Sequence, residues 1–240
     1  MKLLRILIFI LIFLAVSGCS DFFMICSLHP FYLEKDIILI PAVEGIWKAR
    51  PINAFPEKKG DEKFNVWNRA DTASEWKVER FISRTTMKDK QGKDSLVVRP
   101  MNYYSVILTG IPTGSDQYEF RMVLFKVNGT LYADFMSAGN TALAESRLAT
   151  ESYFTIHTLA RVVFSESKMQ VSWLSAENMK EMIETKHARV SYRWVSSAKR
   201  LLLTGTPEQL TGMIKRYAGE TRFINWDKQQ AMLQLTALNH

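Results

Sequence analysis

Asn128-Gly129, set between two runs that alternate apolar and polar residues, restricts this chain more than any other feature. Both residues tolerate the positive φ that a two-residue hairpin turn requires, so 118–127 and 130–137 are expected to pair as antiparallel strands. Asn128-Gly129-Thr130 also matches a glycosylation sequon, but the flanking alternation favours the turn. Tyr118, Phe120, Met122 and Leu124 share one face of the first strand, with Glu119 and Arg121 opposite.

The same pattern recurs along the chain. Strands are expected near 36–40, 44–50, 63–69, 75–83, 102–109, 117–127, 130–137, 153–165, 168–174, 188–195, 199–204 and 220–226. So many short strands imply a mainly β fold: a curled antiparallel sheet, or a β-barrel, with two C-terminal amphipathic helices. Large inward residues such as Trp47, Trp76, Phe120, Met122 and Trp173 would fill such a barrel. The 47% apolar and 23% charged composition excludes wholesale disorder. Two cysteines exclude both a disulfide framework and a four-thiolate metal site.

The helices are expected over 175–187 and 206–217. Thr206-Pro207-Glu208-Gln209 reads as an N-cap Thr, Pro at the first helical position and Gln completing a capping box. At an offset of 31 residues, Met179 matches Leu210, Met182 matches Met213 and Ile183 matches Ile214. This suggests either a duplicated strand-helix-strand unit or two amphipathic helices alike by chance. The run 138–152 is small and polar, and reads as a plain connection or a lid over a barrel mouth.

The N-terminus specifies destination. Lys2 and Arg5 precede an apolar run, 6–16, of signal-peptide length. Val16-Ser17-Gly18-Cys19 follows and resembles the bacterial lipobox, a branched apolar residue and two small residues before an obligatory Cys. By that resemblance Cys19 is the lipidation site, and Val16, Ser17 and Gly18 are recognised by the signal peptidase. The domain plan is then a signal peptide over 1–18, a lipidated tether over 19–35 and one β-rich domain over 36–240. The alternative is an uncleaved membrane helix from Ile6 to about Leu28. That helix would bury Asp21 at a cost of about 2.5–3.5 kcal/mol near its centre. Ser20 after the lipidated Cys points, by the same resemblance, to the outer rather than the inner membrane.

No nucleophile elbow, zinc-protease motif, phosphate loop or dinucleotide fingerprint occurs. His29, His157, His187 and His240 stand apart, without a second ligand at metal spacing, so neither a metal nor a cofactor is expected. His157, mid-strand with Arg161 on the same side, is the candidate polar site. It reads either as a catalytic or ligand-binding residue or as a satisfied polar residue on a sheet face. The net charge of +7 is modest for this length, and nucleic-acid binding is not expected of an exported chain.

Cys26-Ser27-Leu28-His29-Pro30-Phe31-Tyr32, followed by Gly45-Ile46-Trp47, resembles the opening of a group of uncharacterised bacterial lipoproteins. That resemblance implies a cell-envelope location. Gly45-Ile46-Trp47 is also similar to the G-x-W that opens a lipocalin barrel, where the Trp closes the barrel floor under a late-strand Arg. It implies Trp47 and Arg222 as the floor pair. The expected function is a non-enzymatic binding or interaction module, held at the membrane by its lipid and meeting an envelope protein. The alternative is a lipocalin-like carrier of a small apolar ligand or lipid.

Overall fold

The computed structural model describes residues 25–53, 74–88, 94–109, 118–138, 156–174, 176–185, 188–195, 200–217 and 232–238. Among these, the strands are β1 (Cys26–Ser27), β2 (Gly45–Asn53), β3 (Ser74–Lys88), β4 (Asp94–Thr109), β5 (Tyr118–Val127) and β6 (Thr130–Ser137). They continue with β7 (His157–Ser165), β8 (Lys168–Trp173), β9 (Tyr192–Val195), β10 (Arg200–Leu203) and β11 (Met232–Ala237). The helices are α1 (Ala176–Glu184) and α2 (Pro207–Tyr217). The expected lipobox Val16–Cys19, the expected strands at 63–69 and 220–226, most of 138–152, and Arg222 lie outside the described residues.

β2 to β8 pair antiparallel in chain order, and β11 pairs with both β8 and β2. The result is a closed, eight-stranded, up-and-down antiparallel barrel of lipocalin-like form. Local chemistry sets its turns: Asn128 at φ 51° and Gly129 at φ 81° join β5 to β6 as the sequence requires. The period of two then sorts side chains. Trp47, Trp76, Tyr104, Val106, Met122, Leu124, Val171 and Leu235 point inward and are buried. Lys48, Arg50, Glu75, Lys77 and Glu79 point outward into water. A membrane-spanning barrel has the reverse pattern, an apolar outside and a polar lumen. Among the described residues no helix is long and apolar enough to cross a membrane.

One side of the barrel carries a second layer. β1 pairs antiparallel with the first residues of β7 and parallel with β10, which pairs with β9. The chain then descends over the outside of β5–β7 as a strap, reaching the barrel end at Pro41–Val43. From Ile25 onward the segment read as a tether is therefore part of the fold: Ile25 and Phe31 are fully buried. Residues 36–40 form no strand, contrary to expectation. Ile37 makes a lone bridge to Phe125 and Ile38 N–H donates to Leu124 O (2.9 Å) before the chain turns under the barrel. α1 and α2 pack beside the strap, burying Met179, Met182, Met213 and Ile214. The α2 capping box forms as read: Thr206 N–H donates to Gln209 Oε1 (3.0 Å), and Gln209 N–H to Thr206 Oγ1 (3.4 Å).

β3 and β4 outrun their neighbours. β2 accompanies β3 only as far as Val78, and β5 accompanies β4 only from Tyr104. Beyond that, the two strands pair with each other alone, from Ile82↔Pro100 to Lys88↔Asp94. At about 3.3 Å per residue these seven pairs extend roughly 23 Å beyond the barrel. The strands expected from sequence stop at residue 83 and resume at 102, so most of the arm is unexpected, and so is β11.

Candidate functional site

The face under the strap brings together the one buried acid–imidazole pair among the described residues. The alternation that turns Ala133 and Phe135 inward turns Tyr132 and Asp134 outward from β6, and His157, Leu159 and Arg161 outward from β7. Most of this layer is apolar: Phe125, Leu159, Leu174 and Leu203 lie in it. Within it, Asp134 is 2% and His157 8% exposed.

Their bonds account for that burial. His157 Nδ1 lies 2.8 Å from Asp134 Oδ1, diagonally across the β6–β7 ladder. Phe31 N–H donates to Asp134 Oδ2 (2.9 Å), and Thr211 Oγ1 of α2 donates to Phe31 O (3.1 Å). The peptide groups flanking Phe31 are thus held by a barrel strand on one side and a helix on the other. Burial raises the Asp134 pKa above the usual 3.8, and the imidazole and Phe31 N–H bonds oppose that rise.

An acid–imidazole pair can orient a general base if a hydroxyl or substrate meets the other ring nitrogen. Ser27 is opposite His157 in the β1–β7 ladder. Its Oγ, however, donates to Leu203 O (3.4 Å) and accepts from His29 N–H (3.1 Å), which ties it to the backbone. The arrangement fastens the strap to the barrel. Arg161 shares the face and lies opposite Tyr132 in the ladder, whose pKa burial raises and the Arg161 charge lowers. The sequence picked out His157 and Arg161, and the structure puts both on this face, with His157 bonded to Asp134. It missed Asp134, whose one signal was a lone acid in the apolar strand Leu131–Met136.

At the arm end of the barrel, Trp47 is buried near the start of β2. Its indole Nε1–H donates to Val43 O (2.9 Å), and its ring meets the edge of Phe164 at 6.0 Å. Ile40 N–H donates to Tyr104 Oη (2.6 Å), so the strap closes this end. In the interior, Trp76, Phe135 and Trp173 contact one another at centroid distances of 6.1, 6.4 and 5.4 Å.

No protein-family model matches the chain, and neither a curated protein nor a solved structure does.

Proposed function

We propose that this chain is a membrane-anchored bacterial lipoprotein that works as a non-enzymatic interaction module at the cell envelope, with the outer membrane as its site. The anchor rests on Lys2, Arg5, the apolar run 6–16 and the lipobox ending at Cys19. Two or three acyl chains on Cys19, at roughly 0.8 kcal/mol per buried CH₂, make a lasting attachment. The observation that carries the interaction reading is the aromatic packing of the described interior: Trp47, Trp76 and Trp173 are each at most 4% exposed and packed against other rings. Contacts with a partner are then made from the outside. His157 serves as a structural fastener, engaged with Asp134 beneath the strap.

Barrel closure and the place of Trp47 favour a second reading, a carrier of a small apolar ligand or lipid. It requires the aromatic interior to open. Two measurements test these readings. Cys19→Ala is expected to abolish palmitate labelling and leave an unprocessed precursor; continued labelling and cleavage at the same place would remove the anchor. Titration of the full chain with a fluorescent fatty acid is expected to give no saturable signal, and one-to-one binding quenching the interior tryptophans would establish the carrier instead.

A further inference from the structure

β9, the last strand of the second layer, exposes what its neighbour buries. Its register with β10 sets Trp194 opposite Leu201 and Tyr192 opposite Leu203, and side chains directly opposed in an antiparallel pair share a face. Leu201 and Leu203 are buried, whereas Trp194 is 48% and Tyr192 47% exposed. Two large rings at one margin of the sheet therefore stand half in water. Lys180 of α1 lies beside them, its Nζ 5.2 Å from the centroid of the Trp194 ring and 3.7 Å from Glu184 Oε1. Arg193, between the two rings in sequence, is exposed and points to the other face of the strand.

Register also fixes how far this strip stands from the N-terminal side of the chain. Cys26, Leu202 and Arg193 are partners across β1, β10 and β9. Two strand spacings put the Arg193 backbone roughly 10 Å from that of Cys26. Cys19 precedes Cys26 by seven residues, a reach of at most about 25 Å. A lipid on Cys19 thus keeps β9 within one short tether of a bilayer surface.

We infer that β9 is a second membrane contact, in which Trp194 and Tyr192 settle into the headgroup layer of the phospholipid bilayer that holds the Cys19 lipid, flanked by Lys180 and Arg193. Trp and Tyr join an apolar ring to a polar tip, and such side chains collect at the headgroup level. The two cations, one on each face of the strand, are drawn to an anionic leaflet. The headgroup layer holds water, so the strand lies there edge-on without burying its backbone in hydrocarbon. The tether supplies a high effective concentration of surface, and a contact too weak to hold free protein forms once the lipid is in place. The inference rests on the anchor reading and deepens it: the lipid holds the chain, and β9 orients it.

The test uses the full, lipidated chain in phosphatidylglycerol vesicles whose acyl chains carry bromine close to the headgroup, which quenches indole emission on contact. The difference between the wild type and Trp194→Phe isolates Trp194, because every other tryptophan is common to both. That difference signal is expected to be quenched. Lys180→Glu with Arg193→Glu should move the contact about tenfold or more toward the free state and restore the emission. The Trp194→Phe comparison does not depend on how the charge variant folds. Unquenched Trp194 emission, or quenching that the charge reversal leaves unchanged, would overturn the proposal. So would saturable quenching of Trp194 by a chito-oligosaccharide without vesicles, which would make the ring pair a sugar platform. Flotation with the same vesicles separates the two claims: flotation without Trp194 quenching removes the contact and leaves the anchor standing, and failure to float removes the anchor together with the contact that rests on it.

Discussion

β3 and β4 each live two lives. In the barrel, Trp76, Val78, Tyr104, Val106 and Leu108 are at most 1% exposed. Further along the same two strands, in the arm, Leu96 is 64% and Val98 52% exposed. The pairing continues across the boundary, interrupted by one register shift between Arg80 and Ile82. Secondary structure is therefore the same in both halves, and closure of the ring separates them. Where β2 and β5 flank the pair, side chains face a packed interior; where those strands stop, similar side chains face water. The same alternation thus buries its apolar side chains in the ring and leaves several of them exposed on the ribbon.

The contrast can be broken by substitution. The largest effect is expected inside: Trp76→Ala removes an indole packed against Phe135 and Trp173, and should cost about 3–5 kcal/mol in a denaturation experiment. Ile214→Ala, under the strap layer, should cost about 2–5 kcal/mol, because Ile214 is fully buried. A loss under about 0.5 kcal/mol there would place α2 on the surface instead. Asp134→Ala leaves His157 Nδ1 and Phe31 N–H without their partner, and should cost about 1–3 kcal/mol. Leu96→Ser, in the arm, should change stability by less than about 0.5 kcal/mol. If it costs as much as Ile214→Ala, the arm is already covered within the chain.

The Asp134 pair adds a pH signature. Its folded pKa lies above the ordinary 3.8, so between 3.8 and the raised value the folded state holds more protons than the unfolded state. Stability contributed by the neutral acid is complete below 3.8 and is lost as pH climbs through the raised value. Melting the protein across that window should show the decline, and Asp134→Asn should flatten it. A stability that rises with pH there, with the slope removed by the same substitution, would mean that the imidazole outweighs burial.

What the sequence revealed was local. The Asn128-Gly129 turn, the Thr206–Gln209 capping box and the alternation of β5 and β6 depend on residues a few positions apart, and each appears as read. What it hid depended on distant neighbours. Ile37-Ile38-Leu39-Ile40 looks like a strand by composition, but its place in space is the underside of a barrel end, where it makes a single bridge. The arm, rich in Arg, Lys and Thr and holding Pro100, lacks a consistently buried face, so alternation gave no signal. β11 does alternate, Leu233 and Leu235 against Gln234 and Thr236, yet the run is short and its ladder partners lie far back in the chain. Asp134 looks like an outward-facing acid in any sheet; only the strap, crossing from 103 positions earlier, buries it.

Hydrogen exchange on the full chain, resolved by residue, bears most directly on the division between a packed barrel and an uncovered arm. Amides of Trp76–Val78, Tyr104–Leu108 and Met122–Leu124 should exchange only through global opening, and those along 82–88 and 94–101 many times faster. Equal protection in the two regions would contradict it, because an arm as slow as the barrel is already covered, and a barrel as fast as the arm is not closed.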